Sequence, residues 1–113
     1  MNIEEFARQH SFKQMSSNIY YRVHNTICVD VLEITHIEEY FTVNLAVNCL
    51  ISKELGFECI ASNNLAGLHN PLFDKYWWKK ENLDEIIKLL ETEGEDFWKK
   101  YSTLEQILCY DYI

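Results

Sequence analysis

The side chains best suited to metal binding or nucleophilic chemistry in this 113-residue sequence are four histidines and four cysteines. His10, His24, His36 and His69, with Cys28, Cys49, Cys59 and Cys109, contain no HExxH, no CxxC and no knuckle spacing. No local stretch therefore presents the ligand set of a structural zinc, and no metal is expected. A Cys–His nucleophile would need Cys28 or Cys49 beside a histidine brought near by the fold. Both cysteines sit inside apolar runs, where a thiol packs rather than reacts. Three scattered glycines exclude a phosphate loop, and no GxSxG elbow is present. The sequence thus predicts no catalytic residue, no cofactor and no enzyme.

Carboxylates are the more abundant chemical resource. They pair at Glu4-Glu5, Glu38-Glu39 and Asp84-Glu85, and they crowd in the run Glu91-Thr92-Glu93-Gly94-Glu95-Asp96. Two carboxylates held apart in a cleft can do acid–base work, but Glu5 and Glu85 stand three residues after Asn2 and Asn82, where they close capping pairs. Residues 81–113 hold nine Asp/Glu against three Lys, net −6, while residues 1–80 hold nine against seven Lys/Arg, net −2. The acidic end is the C-terminal third. A formal charge of −8 lacks the Lys/Arg excess that phosphate binding requires, so no direct nucleic-acid contact is expected. A cationic partner is the natural complement. Glu91, Glu93, Glu95 and Asp96 are the expected docking carboxylates, with Glu38 and Glu39 as a second patch.

The stretch "DKYWWKK" sets Trp77 and Trp78 side by side in a frame of charge. Neighbours in extended structure point to opposite sides, so one ring is expected in the core and the other at its rim. Trp78 is taken as the apolar anchor of a partner surface. A stacking platform for single strands would need a positive groove, and the three nearby lysines are offset by Asp74, Glu81 and the acidic third.

The elements that position these residues follow from periodicity. Asn2 and Glu5 open a short helix carrying Ile3, Phe6, Ala7 and His10 at helical spacing. From Ile19 the chain turns aromatic and β-branched: "NIYYRVH", "TICVDVLEITHI" and "YFTVNLAVNCLI". His24-Asn25-Thr26 reads as a tight turn. In the third run Phe41, Val43, Leu45, Val47, Cys49 and Ile51 fall on one face, with Thr42, Asn44 and Asn48 on the other. In the second, apolar parity shifts from Ile27, Val29 and Val31 to Leu32 and Ile34, which predicts a bulge or bend near Val31. "FECIAS" resembles a further short strand. Asn82 opens a helix on Leu83, Ile86, Ile87 and Leu90, which Gly94 is expected to stop. Ser102 and Glu105 begin another, and "EDFWKKY" adds a turn or two between. The sum is one α+β domain over residues 1–113, an antiparallel sheet of three to five strands with an N-terminal helix and two or three C-terminal helices.

Hydrophobic residues at 48% and charged residues at 25% match an ordinary globular domain that folds alone. No run approaches bilayer-spanning length, so no membrane contact is expected. The chain starts without a positive stretch leading into an apolar segment, which points to the cytoplasm and reduced thiols.

The order "SFKQMSSNIYYR", "FTVNLAV", "WW" and "FWKKYSTLEQIL" resembles a bacterial domain-of-unknown-function family with a GFK start, an F-[TI]-NLG-V strand, a tryptophan pair and a closing TLE segment. Ser11 and Ala46 stand where that pattern has Gly. In size and charge the chain is also similar to immunity proteins of contact-dependent growth inhibition systems. That resemblance implies binding to a cognate toxin domain, a basic nuclease, whose active site or substrate surface is blocked. The alternative is a small-molecule-binding or enzymatic domain, with a pocket between sheet and C-terminal helices lined by Asn44, Asn48, His36 or His69.

Overall fold

The alternation along Tyr40–Cys49 is what organises the molecule. The computed structural model describes residues 2–50, 60–66 and 78–111, the last four by backbone alone. In chain order these form α1 (Ile3–Gln9), β1 (Lys13–Gln14), β2 (Ile19–Val23), β3 (Cys28–Ile37), β4 (Tyr40–Cys49), β5 (Ile60–Asn64) and β6 (Trp78–Lys79). A 3-10 turn (Lys80–Asn82) leads into α2 (Leu83–Leu89), a π turn (Leu90–Gly94), α3 (Glu95–Lys100) and α4 (Leu104–Asp111).

The protein is α+β. All strand pairs are antiparallel, in the order β1-β2-β3-β4-β5, and β6 pairs with the Tyr40–Phe41 end of β4. Phe41, Val43, Leu45, Val47 and Cys49 face the core as their spacing predicts. Ile51, Phe57 to Cys59, His69 and Trp77 lie outside the described residues.

β3 runs without the expected bulge. Its register is continuous, with ten pairs to β4 and five to β2. The buried parity is Cys28, Asp30, Leu32 and Ile34 throughout. The apolar pattern misled because a charged residue, Asp30, occupies a core position while Val29 and Val31 stand half-exposed on the other face. The β2–β3 turn is where it was expected: Asn25 Oδ1 accepts from the backbone N–H groups of Ile27 and Cys28, both at 2.9 Å.

Helices cover one sheet face. Phe6 and Ala7 of α1, Ile86 and Ile87 of α2, and Phe97 and Trp98 of α3 pack with the strand residues into one core. Burying each such large apolar side chain is worth about 1.5–3 kcal/mol. Trp98 is fully buried, donates its indole N–H to Val31 O at 3.2 Å and lies 5.0 Å from the Phe12 ring.

Gly94 does not stop the helix. It is right-handed, with φ −64° and ψ −50°, and the chain continues helically from Leu83 to Lys100 through the π turn. Gly94 is buried on the helix face that carries Leu90 and Trp98, against Leu45 of the sheet. Two caps also differ from expectation. Asn82 does not cap α2; its side chain accepts from Lys79 N–H at 3.3 Å, closing the 3-10 turn. α4 is capped by Thr103 rather than Ser102, with Thr103 Oγ1 accepting from Gln106 N–H at 3.2 Å. The Asn2 cap holds, accepting from Glu5 N–H at 2.8 Å.

Ser11 ends α1 in the left-handed region, φ 67°. Phe12 N–H donates to Ala7 O at 2.8 Å and Ser11 N–H to Arg8 O at 3.3 Å, the two bonds of a Schellman closure. Phe6 and Phe12, 6.4 Å apart, supply the apolar contact across it. This is a position where glycine is favoured.

Candidate functional site

The two long strands β3 and β4 end in a two-residue loop, Glu38-Glu39, closed by the pair Ile37 and Tyr40. Glu38 sits at φ 56°, since a two-residue hairpin turn needs positive φ to match the twist of its strands. Both carboxylates are exposed, and beside them Ile37 is 56% and Tyr40 37% exposed. The tip thus carries two apolar side chains and two negative charges on the most extensively paired hairpin of the sheet. Lys79 Nζ lies 5.8 Å from the Tyr40 ring centroid.

The acidic run of the C-terminal helices divides. Glu91 and Asp96 are exposed, while Glu93 and Glu95 are half-buried and engaged. Glu95 turns inward, contrary to the solvent-facing role its charge suggested, and accepts from Arg22 Nη1 at 3.0 Å and Nη2 at 3.1 Å. Five residue steps along β4, about 17 Å of strand, separate Leu45, which lies beneath Gly94, from Tyr40 at the tip.

Trp78 is not a free-standing anchor. It is half-buried, pairs with Phe41 through β6 and packs on the core. Its indole N–H is buried with no partner among the described residues.

Sequence reasoning missed the cluster around Arg22. Its guanidinium bonds Asp30 Oδ2 at 2.9 Å, the Glu95 carboxylate through two nitrogens, and His10 O at 3.1 Å. It also lies over the rings of Phe12 at 4.3 Å and Trp98 at 5.2 Å. His24 Nδ1 is 3.1 Å from Asp30 Oδ2, and His10 Nδ1 is 3.7 Å from Glu95 Oε1. Asp30 is fully buried and its Oδ1 has no partner among the described residues. The signal was present: an Asp on the parity of Cys28, Leu32 and Ile34, with an Arg in the preceding strand. Among the described residues no three His, Cys, Asp or Glu side chains gather as a metal site.

Leu45, Leu90 and Trp98 belong to the core packed between sheet and helices, and Asn44 lies on the opposite face. There Asn44 Nδ2 donates to Glu33 Oε1 at 3.3 Å, and Asn64 Nδ2 donates to Asn44 Oδ1 at 3.1 Å. Asn48, exposed, shares the alternation of Asn44. On the core-facing side, His36 lines a cavity of about 330 Å3 between the hairpin end of the sheet and the helices, with Ile3, Tyr20, Ile34, Phe41 and Leu83. Burial, and secondarily the charge of Glu4, raise the Tyr20 phenol above its ordinary 10.0, so it stays a neutral donor there.

No helix among the described residues is long and apolar enough to cross a membrane. No family model, curated protein or solved structure matches the chain.

Proposed function

We propose that this chain is a cytoplasmic immunity-type protein that binds a cognate bacterial toxin domain, a basic nuclease, and blocks its active site or substrate surface. The observation that carries the reading is the β3–β4 tip, where Ile37 and Tyr40 flank exposed Glu38 and Glu39 at the end of a hairpin paired along its whole length. A prearranged knob of apolar side chains rimmed by carboxylates suits a cationic cleft, because little ordering entropy is lost on docking. Exposed Glu91 and Asp96 add negative field that speeds encounter. Glu95 is reserved for Arg22 and contributes less to that surface.

The test is binding to a co-expressed candidate nuclease domain at low and high salt. Reversing both tip charges, Glu38→Lys with Glu39→Lys, is expected to slow association at least tenfold at low salt and to leave Tm within the small range of surface changes. Tyr40→Ala is expected to speed dissociation. Unchanged affinity in both variants would exclude the tip as the docking surface.

A second reading, a small-molecule-binding domain, draws on the cavity lined by Tyr20, His36 and Phe41. Its size lies at the lower end for ligand sites, roughly 300–1,000 Å3. A ligand that raises Tm in the wild-type chain but not in His36→Ala would favour it.

A further inference from the structure

Cys28 and Cys49 are cross-strand partners near the open end of the β3–β4 hairpin. The hydrogen bonds around them define what kind of pair they are. Leu50 N–H donates to Ile27 O at 2.7 Å, just outside the pair. Cys28 turns its own backbone toward β2: its N–H donates to Asn25 Oδ1 at 2.9 Å and its C=O accepts from His24 N–H at 3.0 Å. Cys28 and Cys49 therefore form a non-hydrogen-bonded antiparallel pair, whose Cα atoms stand about 4.5 Å apart with side chains close together. That separation lies inside the roughly 4.4–6.8 Å that a disulfide bridges. Both are thiols, both are buried, and as direct partners they project from the same, core-facing side of the sheet.

We infer that Cys28 and Cys49 are a disulfide-forming pair, oxidised by a small-molecule disulfide, which staples the hairpin that presents the Ile37–Tyr40 tip. In the first step one thiol loses its proton and its sulfur attacks the reagent. The reagent's S–S bond breaks, one reagent thiol leaves and takes up a proton, and a mixed disulfide remains. The second cysteine then loses its proton, attacks the protein sulfur of that mixed disulfide and expels the other reagent thiol. Two protein thiols are oxidised and one disulfide is reduced to two thiols, so atoms and electrons balance.

The surroundings set the speed. Burial, then the neighbouring Cys49 and Asp30, push the Cys28 thiol up to about 11. Little Cys28 thiolate exists at neutral pH, so attack by Cys28 in the folded chain is slow and accelerates about tenfold for each unit of rising pH below that value.

The experiment uses the full chain, both as it stands and with Cys59→Ser and Cys109→Ser. Each is incubated folded with hydroxyethyl disulfide, alkylated in denaturant and cleaved after glutamate. Glu33, Glu38 and Glu39 lie between the two cysteines, so cleavage separates their peptides unless sulfur joins them. The expected result is one joined Cys28–Cys49 fragment pair that reductant separates, and a Tm that is higher for the oxidised chain and returns on reduction. Two other results would overturn the inference. One is full alkylation of both cysteines, or a separate reagent adduct on each. The other is linkage of Cys28 or Cys49 to Cys59 or Cys109 in the wild-type chain.

Discussion

Arg22 stands directly across from Asp30 in the β2–β3 ladder and bonds its carboxylate at 2.9 Å, so a full charge pair is built into the core face of the sheet. Asp30 is wholly shielded from water, and Arg22 extends the link to Glu95 of α3 and to the carbonyl that ends α1. A buried pair is costly to break and cheap to replace as a whole, because removing one partner strands the other charge.

Arg22→Met takes the guanidinium from Asp30, leaving it His24 alone, and is expected to cost roughly 3–5 kcal/mol in urea denaturation. Combining it with Asp30→Leu removes both buried charges and is expected to recover most of that loss. A double variant as unstable as the single one would mean that the loss comes from the Arg22–Glu95 bonds or from stacking on Phe12 and Trp98, not from the pair with Asp30.

Ser11→Gly is expected to stabilise the protein by about 1 kcal/mol, because Ser11 holds φ 67° and a left-handed L-residue carries a cost of that order. Both bonds of the α1 closure come from backbone groups, so the substitution keeps them. Thermal melting reads the gain, and a lower Tm would show that the serine hydroxyl matters more than its φ.

Gly94→Ala is likewise expected to stabilise, by about 0.5–1 kcal/mol, since Gly94 is a right-handed helical residue that carries the entropic cost of glycine. An added Cβ would stand 3.4 Å from Leu90 Cδ2, 3.6 Å from Trp98 Cζ3 and 3.7 Å from Leu45 Cδ1, all ordinary contacts. Gly94→Leu has no such room and is expected to destabilise. If Ala lowers Tm as well, the helix and sheet tolerate no added atom at their crossing.

Alkali is expected to weaken the fold through Cys28. The unfolded thiol gives up its proton near 9.0, whereas the folded one holds it to about 11. Between these values the folded chain binds more protons than the unfolded one, so stability falls as pH rises through the interval and is fully kept below it. Tyr20, raised above 10.0, acts in the same sense. Unfolding free energies measured across this range should slope less steeply in Cys28→Ala than in wild type. Equal slopes would place the alkaline loss elsewhere.

The amino-acid sequence by itself determined the fold class, the Asn2 cap, the Asn25 turn and the buried face of β4, because each depends on neighbours in the chain and on a period of two or 3.6 residues. It also marked Glu38 and Glu39 as exposed charge. Only the tertiary structure decided what happens where distant segments meet. Asp30 is buried because Arg22 in another strand compensates it, and that exchange disguised the parity of β3. Glu95 turns inward because the same arginine lies 73 residues away in sequence and beside it in space. Gly94 continues a helix because the face it shares with Leu90 and Trp98 is buried against Leu45 of the sheet. Cys28 and Cys49 became a pair through strand register, a property that neither spacing nor composition carries. Periodicity records which side of an element is apolar. It does not record which polar groups will find partners there, and in this protein those partners decide which charges remain for a second molecule.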